Sequence, residues 1–184
     1  MLKQKTKGKV AIQENIQQFK ILGKPTAEQL ARLRDFVRGK IGFHAVKSFV
    51  TAYESKSNLT TLVGREVLTR RLVGNTVYSG EITHGAVGDG TPDTNENRTS
   101  LVNEVFRVIP ASHVYENNVA YIDFVFAADD VDGTFTEFAN FIDGENWNAG
   151  AGADTGRMFS LIATGGWAKS NVESLFVSCK YTLV

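Results

Sequence analysis

Apolar and polar positions follow two rhythms along the chain. Between Pro25 and Asn75 apolar residues recur every three or four positions, and beyond Asn75 every second position. The first rhythm predicts helices and the second predicts strands. In "PTAEQLARLRDFVRGK", Leu30, Leu33, Phe36 and Val37 share one helical face. Thr26 suits the N-cap, with Gln29 at the capping-box position, Glu28 in the first turn and Gly39 as the stop. "NLTTLVGREVLTRRLVGN" predicts a second helix, with a stripe of Leu62, Val63, Val67, Leu68 and Leu72 that ends at Gly74-Asn75. Between them, Phe43, Val46, Phe49, Val50 and Tyr53 stand at helical spacing, in short β-branched runs that also suit a strand. Residues 1–24 have weak periodicity and read as a basic, Gln-rich arm that a partner would order.

The second rhythm runs through "TVYSGEITHGAVG", "EVFRVI", "VAYIDFVFA", "TFTEFANFI", "RMFSLIA" and "VESLFVSCKYTLV". In the third of these, Ala120, Ile122, Phe124 and Phe126 fall on one face, and Val119, Tyr121, Asp123 and Val125 on the other. In the last, Leu175, Val177, Cys179 and Tyr181 alternate with Ser174, Phe176, Ser178 and Lys180. Turn clusters "DDVDG", "DGENWNAGAGADTG" and "ATGGWAKSN" separate the strands. The expected fold is α+β: a basic, mostly helical docking region over residues 1–74, then an antiparallel, jelly-roll-like β-sandwich over 75–184.

Charge sharpens this division. The chain is neutral overall, yet residues 1–72 hold 15 Lys and Arg against 5 Asp and Glu, and residues 73–184 hold 5 against 15. Such asymmetry suits head-to-tail or arm-to-body contacts between copies. The single cysteine, Cys179, reads as a small buried apolar residue, and one cysteine permits no internal disulfide. No segment has the ~18 consecutive apolar residues of a membrane span, and the basic start lacks the apolar core of a signal peptide, so a reducing cytosol is the expected place of synthesis.

Sites of known chemistry fit poorly. In "GAGADTGRM" a phosphate loop starting at Gly150 would need its second glycine at position 155, which is Thr155, and in "GAVGDGTPD" Asp93 stands where a dinucleotide fingerprint needs glycine. Placing Gly133 at the sixth position of a calcium-binding EF-hand loop puts Ala128 and Ala139 where ligands belong. One cysteine with His44, His84 and His113 scattered is no zinc set. We therefore expect no catalytic residues, no metal and no cofactor. Candidate contact residues remain. Arg32, Arg34 and Arg38 on the first helix and Arg65, Arg70 and Arg71 on the second are candidate interface residues, with nucleic acid an unfavoured partner beside an acidic half. Trp147 and Trp167 lie in Gly-rich segments, where they either close the sandwich core or stack on a partner or sugar. Glu104 and Arg107, three apart, are a candidate ion pair.

As an ordered series the segments resemble a family of tailed-bacteriophage virion structural proteins, tail-fibre-like. "AVGDGTPD" (86–93) is similar to that family's "ALGTGTTAP" element. "TSLVNEVFR" (99–107) fits its T-x-L-x-x-E-x-x-R segment, with Glu104 and Arg107 in place. "FAADDVDGTFTE" (126–137) fits F-x-A-x-E-x-N-G-T-x-x-E, with Asp130 and Asp132 as substitutes. "ESLFVSCKYTLV" stands where "ETLTVTWTI" would. The likeness covers roughly residues 60–184. It implies a non-enzymatic component of the virion (tail, collar or fibre attachment) that assembles in the host cytoplasm with itself and neighbouring virion proteins. A host-surface glycan-binding (receptor-binding) module that uses Trp147 and Trp167 is the alternative expectation.

Overall fold

The computed structural model describes residues 12–148 and 150–184. In chain order it contains β1 (Ile12–Leu22), α1 (Ala27–Val37), a 3-10 turn (Phe43–Ala45), β2 (Val50–Ser57), β3 (Leu59–Thr60) and α2 (Leu62–Leu72). There follow β4 (Ile82–Gly88), β5 (Glu104–Val108), β6 (Ser112–Glu116), β7 (Val119–Phe126), β8 (Gly133–Ile142), β9 (Arg157–Lys169) and β10 (Glu173–Leu183). The strands form two five-stranded antiparallel sheets, one ordered β2-β1-β10-β7-β6 and the other β3-β9-β8-β4-β5.

Between the sheets Ile16, Phe124, Leu175 and Val177 of the first meet Phe138, Ile142, Ile162 and Trp167 of the second. The alternation along β7 and β10 supplies this face: Phe124, Phe126, Leu175, Val177 and Cys179 point inward, while Tyr121 and Phe176 point outward. Each sheet also has a covered outer face. On the first, Phe19, Ile21, Tyr121 and Phe176 lie under Leu33 and Val37 of α1 and Val46. On the second, Ala86, Ala139, Phe141, Met158 and Leu161 lie under Leu101, which comes from the long β4–β5 connection.

Both expected helices form. Thr26 caps α1 with the expected box: its Oγ1 accepts from Gln29 N at 3.1 Å, and its own N–H donates to Gln29 Oε1 at 2.8 Å. Thr61 caps α2, accepting from Gly64 N at 2.9 Å. The N-terminal region is not the helical unit expected from the pattern. Residues 12–22 of the expected arm form β1, paired along its length with β10 and on its other side with β2; residues 1–11 lie outside the described residues. The helical spacing over 43–53 resolves into the 3-10 turn and β2, whose exposed positions mark it as an edge strand. A division at residue 74 thus does not follow the sheets, since β1 and β2 join strands from the other end of the chain. Jelly rolls have eight strands in two Greek keys; among the described residues this sandwich has ten, with β4–β5, β6–β7 and β8–β9 hairpins each kept within one sheet.

Candidate functional site at one end of the sandwich

Antiparallel pairing gives the sandwich two chemically different ends. Ile12 faces Leu183 and Thr182 faces Val119, so these residues share one end. Leu22 faces Glu173 and Leu175 faces Phe126, so these share the other. At the first end the sheets part around a cavity of about 480 Å³. Its wall is apolar, with Ile82, Ile122 and Phe159 at depth and Leu68 of α2 on one side. The β6–β7 hairpin and the end of β10 form the rim, where Val114, Tyr115 and Leu183 are 39%, 81% and 53% exposed. Glu81 and His113 also line the rim, 3.9 Å apart. A concave apolar site of this size with an exposed apolar rim has the shape and chemistry common to binding surfaces.

The residues that carry the family resemblance converge elsewhere, on the outer face of the second sheet. Glu104 and Arg107 lie on β5 with fully buried side chains. Arg107 Nε donates to Glu104 Oε1 at 2.5 Å and Nη2 to Oε2 at 2.7 Å. Arg107 Nη1 continues to the carbonyl and hydroxyl oxygens of Thr155, at 3.1 and 2.9 Å, and its guanidinium lies 4.7 Å from the centre of the Phe141 ring. Glu104 Oε2 accepts from Asp154 N at 3.0 Å. The pair thereby ties the β8–β9 loop onto the sheet. His84, buried beside Arg107, bonds Asn146 of the same loop at 3.1 Å, and burial holds its pKa below the usual imidazole value. Glu137, also fully buried, does the same for the β4–β5 connection, accepting from Val102 N at 2.8 Å with Arg98 3.7 Å away. Gly88 and Gly90 belong to this arrangement by close approach. A Cβ on Gly88 would come within 2.6 Å of Asn103 O, and one on Gly90 within 2.4 Å of Val102 Cβ. None of these groups opens onto the apolar cavity.

The candidate arginines do not form one patch. Arg32 pairs with Glu28 at 2.7 Å, Arg70 with Glu66 at 2.7 Å, and Arg65 with Glu96. Arg34 reaches across to the first sheet, donating to Asp123 Oδ2 at 3.1 Å, while Ser178 donates to Asp123 Oδ1 at 2.6 Å. Burial raises the Asp123 pKa, and the nearby Arg34 opposes that shift. Arg38 lies over Tyr121, 3.9 Å from Glu116, and Arg71 packs its stem beside Gly80. The Arg34 and Arg38 contacts fasten the first helix region to the first sheet, whereas Arg32 and Arg70 pair within their own helices. Trp167 is 5% exposed within β9, packed on Phe138 and donating to Glu54 Oε2 at 2.8 Å. It closes the core and offers no face to a sugar. Its segment reads as a turn because Gly165 and Gly166 adopt positive φ, which here produces a bulge opposite Phe135–Glu137. Trp147 is half-buried against Phe106, with ring centres 5.5 Å apart.

A polar cluster that the sequence pattern did not mark lies behind the cavity. Asn140 donates to Tyr181 Oη at 2.5 Å and to Ser160 Oγ at 3.2 Å, and Ser160 and Tyr181 bond each other at 2.9 Å. Glu14, paired with Tyr181 across the strands, has no hydrogen-bond partner for either carboxyl oxygen among the described residues. Burial pushes its pKa up to about 8, against an opposing pull from Arg65. Cys179 is fully buried in the same region, and burial pushes its thiol well above the usual range. Among the described residues no group of three His, Cys, Asp or Glu gathers in a metal-binding arrangement, and no helix is long and apolar enough to cross a membrane. Comparison with protein-family models, curated proteins and solved structures finds no match to the chain.

Proposed function

We propose that the chain is a non-enzymatic structural subunit of a tailed-phage virion, in the tail, collar or fibre attachment, that assembles with itself and with neighbouring virion proteins. The observation that carries the assembly part is the apolar cavity with its exposed rim of Val114, Tyr115 and Leu183. An apolar concavity of this kind gains free energy when a partner removes it from water. The virion part rests on the ordered motif series, whose residues Leu101, Glu104, Arg107 and Glu137 serve as buried anchors that hold two long loops against the second sheet. A framework role suits a subunit whose surfaces, rather than a reaction centre, do the work.

Quantitative mass spectrometry of gradient-purified particles tests the reading. Particles of the phage that encodes the chain should contain it at structural copy number. Particles that lack it, while infected cells contain it free, overturn the proposal.

A further inference from the structure

The first sheet has two edges, β2 and β6, and they are built differently. On β2, Glu54 and Lys56 point between the sheets, where Glu54 Oε2 accepts from Trp167 Nε1 at 2.8 Å and Lys56 Nζ donates to Thr164 O. Inward-pointing charges are one way in which proteins keep an edge from pairing with another chain. β6 lacks this device, and it contains no lysine and no proline. Among the described residues, hydrogen bonds to the β6 backbone come from β7 alone. The opposite edge of β6 therefore keeps its donors and acceptors for a further strand.

The side chains of β6 suit pairing with a second β6. His113 and Tyr115 stand opposite Ile122 and Ala120 on the inner face of the sheet, and Ser112, Val114 and Glu116 stand opposite Asp123, Tyr121 and Val119 on the outer face. Two antiparallel copies that keep their inner faces together must join inner to inner and outer to outer positions. Centred on Val114, such a register pairs every residue of the strand: Val114 with Val114, His113 with Tyr115, and Ser112 with Glu116. Centring on His113 or on Tyr115 leaves residues at the strand ends without a partner in the strand. In the Val114 register no like charges stand opposite each other. The surface around β6 is apolar as well. Tyr115 is 81% exposed, and Leu183, whose N–H donates to Asn118 O at 3.0 Å, is held beside the β6–β7 hairpin with its side chain half-exposed. Five paired residues cover only part of the roughly 800 Å² that each partner contributes to a stable interface, and Tyr115 and Leu183 extend the face.

We infer that β6 joins two copies of this chain, antiparallel across a two-fold axis at Val114, so that two five-stranded sheets become one continuous sheet. The acidic rim of the cavity fits this arrangement. Glu81 lies 3.9 Å from His113, and the register sets Tyr115 of the second copy opposite His113, which brings a hydroxyl donor to the side of the sheet that carries the carboxylate. The contact is isologous, so it closes at two copies instead of propagating. The inference rests on the assembly reading and adds its geometry.

The test uses the full chain in sedimentation velocity and light scattering. At about 0.1 mM, a concentration that saturates micromolar contacts, the wild-type chain should be a dimer that grows no further. Because Val114 meets itself at the axis, Val114→Lys and Val114→Glu should each lose association by about tenfold or more, through like charges placed face to face. Mixed one to one, the two should pair again. Val114 is partly exposed, so folding is expected to survive, and circular dichroism checks it. A cysteine pair decides the matter without new charges, since the native Cys179 is fully buried. Directly opposed residues lie about 4.5–5.5 Å apart between Cα atoms, within disulfide reach, whereas diagonal ones lie about 7–8 Å apart. Under mild oxidation Val114→Cys should therefore form a covalent dimer, and Tyr115→Cys, whose two copies are diagonal, should stay largely unlinked. A wild-type chain that stays monomeric, or that grows beyond two copies, overturns the inference. So do Val114 variants that both remain dimeric, a mixture that fails to pair, or cysteine variants that cross-link alike. None of these results changes whether purified particles contain the chain, so the two-fold contact and the virion role fail separately.

Discussion

At the scale of single residues, a carboxyl group with no hydrogen-bond partner among the described residues couples stability to pH. Glu14 keeps its proton in the folded chain until about pH 8, whereas its ordinary value is 4.5. Between these values the unfolded chain releases a proton that the folded chain retains, so stability falls as pH rises through this window and levels off above it. Glu14→Gln should remove that fall and stabilise the protein on the alkaline side by on the order of 2 kcal/mol. Urea midpoints measured across the window check this; a variant with an unchanged slope would show that another group carries it. Arg107 makes the opposite case, a buried charge whose partners are all present. Arg107→Met strands Glu104 in the interior and should cost about 3–5 kcal/mol, while Arg107→Met with Glu104→Leu should cost less than that single change. Chemical denaturation of both variants decides whether the pair is coupled.

At the scale of elements, α2 shows how closely a helix can be set against a strand. Gly64 packs flush on β9, and a Cβ there would come within 2.5 Å of Phe159 O and 2.8 Å of its Cα. Gly to Ala inside a helix normally stabilises by about 1 kcal/mol. Gly64→Ala should reverse that sign, with a loss of about 1–3 kcal/mol as the helix is pushed away. A thermal melt reads the direction, and a rise in melting temperature refutes the close packing. Element by element, the sequence was legible wherever one face met apolar neighbours and the other did not. The Thr26 box and the alternation along β7 and β10 belong to that class. β1 was hidden because Gln13, Asn15 and Gln17 lie on its outer face and Glu14 and Gln18 on its inner one, so neither face reads as apolar. β2 was obscured by its exposed edge position, and the cavity by being assembled from β1, β4, β6, β7, β9, β10 and α2, whose juxtaposition no local pattern encodes. The Glu104–Arg107 pair was readable from spacing, but its hold on the loop at Thr155 was not.

At the scale of the whole molecule, β1, the first strand of the described residues, sits second from the edge of its sheet, hydrogen-bonded on both sides. A chain that begins at Pro25 lacks this strand, opens the core at Ile16 and uncovers β10. It should fail to fold, and circular dichroism and solubility measurements check this; a soluble, cooperatively melting product would show that β1 is dispensable. The same pairing governs how the protein is made. Ile16 finds Cys179 only when nearly the entire described chain has left the ribosome, a wait of about 10–30 s at ordinary rates of synthesis. During that interval β1 lacks its β10 partner and keeps one edge open in a crowded cell, the circumstance that favours aggregation. The glutamines, Asn15 and Glu14 that conceal it from pattern reading also keep the nascent segment soluble while its partner is still being translated.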